Sequence, residues 1–227
     1  MTEKKEAKQQ QTKERIVEAA LEEFCRFGFS RVTMDELAIK LGMSKKTLYQ
    51  HFSGKEDVLK SVLDMRRSEM DCKINPILHD SSINFIEKMV LVSTLISNEF
   101  ERVSPVLLED MRRHAPEHFR VMEEWRRKKI EEEFGFFIRE AREKGMFRND
   151  IPDEVLILMY TVLVENIVRP EVLAKAPLSP AQMYQALVKV FFEGVMTTVG
   201  RMEWSQKGQH LFRQIGGPPL ALSMPQP

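Results

Sequence analysis

The sequence predicts an all-α protein with a small N-terminal helix-turn-helix domain and a larger C-terminal helical domain. Three observations predict it. Apolar residues recur at intervals of three and four almost throughout, and no run alternates as a half-buried strand would. Helix caps and glycine stops punctuate that pattern at helical lengths. The composition is globular, with 43% apolar and 30% charged residues and only 10 Gly and 11 Pro in 227 residues.

Residues 1–11 are polar and read as a flexible N-terminal arm, and the first helix is expected over about 12–27. Ile16, Ala20, Phe24 and Phe27 form its apolar stripe, and Gly28 stops it. Thr33-Met-Asp-Glu36 is a capping box that opens a short helix with Met34, Leu37, Ala38 and Leu41 inward and Gly42 at its end. Ser44 caps a third helix anchored by Leu48 and Phe52. Ser53-Gly-Lys-Glu56 repeats the capping-box pattern and starts a fourth helix that runs toward Lys73 and ends at Asn75-Pro76. The N-terminal domain therefore spans 12–72, with its helix-turn-helix at 33–52.

From 73 to about 203 the reading is helical but less sharply signed. Helices are expected over 82–103, 105–113, 116–144 with Gly145 as stop, 153–168 before Pro170, and 180–201. The last opens with Ser179 as cap, Pro180 at the first position and Gln182 at the third. Residues 204–227 are turn-formers without a helical stripe, and read as a poorly ordered tail.

Several classes are excluded. The chain carries 34 Lys+Arg against 34 Asp+Glu, so no global charge draws it to nucleic acid or a membrane surface. The first residues hold no apolar leader core. The longest apolar run, Val155 to Val164, is about half of the roughly 20 residues a spanning helix needs. Cys25 and Cys72 make no disulfide framework and fit a reducing cytoplasm as buried, inert thiols. No GxSxG, HExxH, P-loop or GxGxxG is present, which sets an enzyme aside, and no cofactor is implied. Asp110, His114 and His118 have four-residue spacing on a helix, but Pro116 interrupts it, so no metal site is expected. Arg126–Lys129 beside Glu131–Glu133 reads as a solvated face with pairs such as Glu123 with Arg127 and Glu124 with Lys128.

The one sharp functional signal lies in 33–52. A short helix, a turn at Gly42 and a second short helix are what a helix-turn-helix needs, with small Ala38 permitting a close crossing and Leu48 plugging the angle. No acid stands between Glu36 and Glu56, whereas Lys40, Lys45, Lys46 and Lys55 do. A neutral chain thus carries a local basic patch on a helix that fits the major groove. There Lys can reach guanine acceptors, Gln can pair with adenine, and a Thr methyl or Tyr ring can touch thymine. Helix starts near Thr33 and Lys55 add amides that favour phosphate.

The run RIVEAALEEFCRFGFSRVTMDELAIKLGMSKKTLYQHFSGKEDVL, Arg15 to Leu59, resembles the N-terminal domain of the TetR family of bacterial transcriptional regulators. Gly28, Thr33, Ala38, Gly42, Ser44, Leu48, Tyr49, Phe52, Lys55 and Glu56 all stand where the family pattern places them. The resemblance implies a cytoplasmic DNA-binding repressor, associated with the nucleoid when bound. Its homodimer would read a palindromic operator, and its C-terminal domain would bind an effector and dimerise. It also implies roles: Tyr49, His51 and Lys55 on phosphates, Thr33 on the backbone, and Lys45, Lys46, Thr47 and Gln50 on base edges or adjacent phosphates. The alternative is an architectural or activating DNA-binding regulator without a small-molecule effector.

In the family the last two long helices form a four-helix bundle across the two-fold axis. Here they carry Val155, Leu158, Met159, Val162, Leu187, Val190, Phe191, Val195 and Val199, enough for an interface as well as a core. An effector pocket would lie among Phe85, Met89, Phe100, Met111, Phe119, Met122, Trp125, Met159 and Tyr160, with His114, Glu165 and Asn166 as polar fixtures. The family points to a small apolar or cationic molecule. The 14 Met and 14 Phe provide the soft, irregular filling that such an interior needs.

Overall fold

A computed structural model of the chain describes residues 2–208, with 168 and 174 excepted. The described residues are helical, and no strand occurs among them. In order they form α1 (Thr2–Phe27), α2 (Met34–Leu41), α3 (Lys45–His51), α4 (Lys55–His79), α5 (Phe85–Glu101) and α6 (Pro105–His114). There follow α7 (Pro116–Glu143), α8 (Asp153–Ile167), α9 (Pro170–Leu173), α10 (Pro180–Val195), α11 (Thr198–Glu203) and a π-helical turn, Trp204–Gly208. The chain divides into two compact units. One takes the residues up to Asp71 together with Ser104–Glu124, the other Cys72–Val103 together with the chain from Trp125 onward.

The first unit is built on α1, whose inward residues Ile16, Ala20 and Phe24 are fully buried with Leu37, Leu48, Val58, Leu59 and Met111. Met111 reveals a difference from the sequence division at residue 72. Helix α6 and the start of α7 complete the core of this N-terminal unit instead of belonging to the C-terminal one. Leu107, Met111 and Ala115 supply that contact, and Ser104 ties it by donating its hydroxyl to the Cys25 carbonyl at 2.7 Å.

In the second unit α5 and α10 pack together, with α8 against α10 and the π turn against α5. Its interior is aromatic. Tyr160 stacks on Phe134 at 4.2 Å and Phe100 on Tyr184 at 5.0 Å, while Phe85 meets Phe137 and Phe147 edge-on. Buried Lys88 is satisfied by the Leu78 carbonyl at 2.9 Å and by Glu140 at 3.3 Å.

Several boundaries differ from the sequence reading. Helix α1 begins at Thr2, not near 12, because Lys, Glu, Ala and Gln are good helix formers once a helix is anchored downstream. At the start of α4 the reciprocal partner is Asp57, not Glu56: the helix begins at Lys55, and Ser53 donates its N–H and hydroxyl to Asp57. Pro76 lies inside α4, which runs on to His79. A proline near a helix end removes a single ladder bond, and buried Ile74 and Leu78 hold the last turn. The expected 180–201 helix breaks at Met196 and Thr197, because backbone groups there turn to another segment. Arg148 N–H donates to the Val195 carbonyl and Thr197 N–H to the Met146 carbonyl, each at 2.9 Å. Of the expected tail, residues 209–227 lie outside the described residues, whereas Trp204 is buried in the π turn.

Candidate nucleic-acid interface

The α2–α3 corner is held by its caps. The Thr33 hydroxyl accepts from the Glu36 amide at 3.2 Å, and the Glu36 carboxylate accepts from the Thr33 hydroxyl and N–H, each at 2.8 Å, which together hold the Glu36 carboxyl below its ordinary value. Gly42 adopts φ 62, the left-handed conformation that ends α2, and the Met43 amide reaches back to the Ala38 carbonyl at 3.0 Å. Ser44 then caps α3 by accepting from the Thr47 amide at 3.0 Å. Leu48 and Phe52 are buried beneath, as the spacing predicts.

Burying Leu48 and Phe52 leaves the rest of α3 outside. Lys45, Lys46, Tyr49 and Gln50 are exposed, with Tyr49 at 52%, and Thr33 is exposed at the start of α2. Thr47 and His51 are half-buried at the flanks, with the Thr47 hydroxyl 2.8 Å from that of Ser44. The structure thus brings seven of the eight residues expected at DNA onto the α2–α3 corner, and α3 presents a row of donors of the length a major groove accepts.

The charge of this face is less bare than the sequence suggests. Acids distant in sequence fold against the basic stretch: Lys40 pairs with Glu22 at 2.8 Å and Glu23 at 2.7 Å, and Lys45 pairs with Asp35 at 2.5 Å. Among the described residues Lys46 alone of the four lysines has no ion pair or hydrogen bond. Exposed pairs of this kind are weak because water screens them, so a phosphate can take over either lysine at little cost.

Lys55, the eighth residue, is turned elsewhere. Its ammonium donates to the Ser30 carbonyl at 3.1 Å and lies 4.5 Å from the centre of the Phe29 ring. Burial depresses its pKa against the attraction of Asp110, Glu56 and Glu36. Asp110 of α6 in turn accepts the Ser30 N–H and, at 2.7 Å, the Ser30 hydroxyl. Burial raises the Asp110 pKa, but these bonds, with His114 and Lys55 nearby, outweigh it and hold the carboxyl below its ordinary value. Sequence reasoning missed the pairing of Asp110 with Ser30, two residues 80 positions apart with no motif to link them.

The residues expected to wall an effector pocket divide between the two units. Met111, His114, Phe119 and Met122 belong to the first unit, with Met111 in its core and His114 exposed. Phe85, Met89, Phe100 and Tyr160 are buried in the second, where they pack against other rings and apolar side chains. Met159 is 49% exposed, because α8 turns it away from the core. Trp125 is half-buried, and Asn166 donates to the Val162 carbonyl at 2.6 Å. Glu165 is engaged by Arg127 at 2.9 Å, and Arg120 takes Glu124 at 2.7 Å.

The Tyr160 and Tyr184 hydroxyls meet at 2.9 Å, and burial pushes Tyr160 up to about 12 and raises Tyr184 as well. Sequence reasoning did not single out Tyr184, which is buried on the inner face of α10 with Ala181, Val188 and Phe191. The buried Thr161 hydroxyl has no hydrogen-bond partner among the described residues. One small cavity, about 20 Å³, is lined by Met89, Val188, Lys189, Phe192, Glu193, Met196 and Trp204, and holds little more than a water molecule.

Among the described residues no His, Cys, Asp and Glu cluster could hold a metal ion. His114 is 3.6 Å from Asp110, whereas His118 pairs with Glu56 at 2.8 Å. Cys25 is half-buried, and burial raises its thiol pKa against the pull of Arg66. Cys72 is exposed, contrary to the expected burial of both thiols, because it falls on the outer face of α4. No helix of the described residues is long and apolar enough to cross a membrane.

Residues 16–62, which hold the C-terminal part of α1, all of α2 and α3 and the start of α4, match the family model of bacterial regulatory proteins, tetR family. That segment is of the tetR family, and the likeness to it is carried by this N-terminal part of the chain. An uncharacterized HTH-type transcriptional regulator of Bacillus subtilis, YvaF, is 26% identical over 171 residues, 74% of this chain and 87% of its own. The HTH-type transcriptional regulator SrpR of Pseudomonas putida is 38% identical over 76 residues, only 34% of this chain and 36% of SrpR. Among solved structures SmeT, the repressor of the Stenotrophomonas maltophilia multidrug efflux pump SmeDEF, superposes with a TM-score of 0.66 over 95% of this chain and 97% of SmeT. At 16% identity that likeness concerns the fold alone. With its tetR-type segment the chain is a DNA-binding transcriptional regulator, and its relatives are regulators, not enzymes.

Proposed function

We propose that the protein is a repressor whose homodimer holds a palindromic operator through two copies of α3 and releases it when a small apolar or cationic effector binds the C-terminal unit. The observation that carries the reading is the outward face of α3. Lys46 and Gln50 stand exposed one helical turn apart on a helix fixed at its start by Ser44 and from beneath by Leu48. Lys45, Lys46, Thr47 and Gln50 face base edges or adjacent phosphates, while Tyr49, His51 and Thr33 position the head on the sugar-phosphate backbone.

A palindrome needs two heads about 34–36 Å apart, or a longer spacing that returns to the same face. The surface that supports a dimer is on α8, where Val155, Leu158, Met159, Val162 and Leu163 are exposed, joined by Val190 of α10 and Val199 and Met202 of α11. Such an apolar surface is what an isologous interface buries. SmeT, named as a repressor and solved in complex with triclosan, supports the repressor and ligand parts of the reading. The site of action is the cytoplasm, at the nucleoid when bound.

The reading is tested by gel shifts on the DNA flanking the protein's own gene. Lys46→Ala and Gln50→Ala are expected to narrow the gap between operator and random duplex, whereas Tyr49→Ala weakens both alike. Unchanged operator affinity for all three variants contradicts it. Effector release is tested by a thermal-shift screen of small apolar and cationic compounds. A compound that binds tightly yet leaves operator affinity unchanged would show that binding is not coupled to release, for which even 1–3 kcal/mol changes affinity about 5–150-fold.

A further inference from the structure

The first unit contains an anion site already occupied by its own carboxylate. The Ser30 N–H, the Ser30 hydroxyl and the Lys55 ammonium are the donor types that bind a DNA phosphate, and here they converge on Asp110 and on the Ser30 carbonyl. Asp110 comes from α6, outside the 16–62 segment that matches the family. The fit is close: Gly28 adopts φ 87, and a Cβ on it would lie 3.1 Å from the Asp110 carboxyl carbon. The loop thus runs against Asp110 with no room for a side chain.

From this geometry we infer that Asp110 withholds Lys55 from the DNA backbone, acting as an internal competitor for phosphate. The inference rests on the reading of the first unit as the DNA-binding head. Asp110 is here a positioning residue: it fixes the Ser30 carbonyl that receives the ammonium, and its negative charge attracts that ammonium. Glu56 and Glu36 add to the negative field at Lys55, but both lie on helices of the head itself, whereas Asp110 alone arrives from α6. His114, one turn on, lies 3.6 Å from the same carboxylate. Lys55 is therefore a reserve phosphate ligand, delivered when α6 leaves the loop and held back while it stays.

The test uses the full chain, the DNA flanking its own gene, and fluorescence anisotropy over a series of salt concentrations. Asp110→Asn removes the charge but keeps the shape. The amide oxygen can accept the Ser30 N–H, and the amide nitrogen can donate to the Ser30 hydroxyl, which rotates to accept. The variant is expected to bind more tightly at low salt, with a slope of log affinity against log salt steeper by about 0.9 for each further phosphate neutralised. Lys55→Ala in the otherwise unchanged chain is expected to leave the slope as it is, and the Asp110→Asn, Lys55→Ala double variant to match Lys55→Ala.

An unchanged slope for Asp110→Asn, or a steeper one that survives in the double variant, overturns the inference. So does a slope shallower by about 0.9 or more for Lys55→Ala alone, since Lys55 would then already be on phosphate. This second result decides the matter even if Asp110→Asn fails to fold. Absence of any salt-dependent DNA binding by the unaltered chain would overturn the DNA reading itself, a failure distinct from the others.

Discussion

Single side chains in the N-terminal unit carry loads that their chemistry makes measurable. Gly28 is held at φ 87 with Asp110 against it, so Gly28→Ala adds backbone strain to a steric contact. The expected loss is about 1–3 kcal/mol, read as a lower thermal midpoint at unchanged helical content. Leu48 is fully buried between the two helices of the reading head, and Leu48→Ala should cost about 2–5 kcal/mol in denaturant unfolding and abolish operator binding with it. Asp110 gives the unit a pH dependence. Its carboxyl is held below its ordinary value, so the stability it contributes is present above the unfolded carboxylate range near 4 and declines as pH falls below it. Acid titration of the thermal midpoint should show that decline, and Asp110→Asn should flatten it.

Elements were legible to the extent that their signals were local. The capping boxes at Thr33 and Ser179 and the stop at Gly42 form as the sequence predicts, because each is decided within a few residues. Thr33→Ala removes one of them and should cost about 1 kcal/mol of stability, checked by chemical unfolding, with operator affinity falling as the α2–α3 corner loosens. Where distant residues decide the backbone, local pattern misplaces it. The break at Met196 depends on Met146 and Arg148, some 50 residues away, and Gly200 is needed there because a Cβ would lie 2.3 Å from the Met146 carbonyl oxygen. The place of α6 depends on Met111 filling the α1 core, and Ser30 with Asp110 shows the same limit at the candidate site. The stretch 37–55 is free of acids in sequence, yet its charge is partly matched by Glu22, Glu23 and Asp35 from other turns and helices.

At the scale of the whole molecule, overall neutrality and a local basic face are compatible. With 34 basic and 34 acidic residues the chain has little general attraction to polyanions, so in the proposed reading binding depends on the α3 face and on symmetry. The exposed strip of α8 is where symmetry would be built. Leu158→Glu, placing a charge at a residue 63% exposed in the single chain, should shift the assembly to monomers in analytical ultracentrifugation and lower operator affinity while leaving the fold intact. The central claim is that this chain reads a specific DNA sequence through α3. It is tested most directly by titrating the protein, by fluorescence anisotropy at fixed near-physiological salt, onto the duplex flanking its own gene and onto a scrambled duplex of equal length. A preference for the flanking duplex of at least about 10³-fold, shrinking on Gln50→Ala, is expected. Equal affinity for the two duplexes, or a preference indifferent to Gln50→Ala and Lys46→Ala, would contradict it.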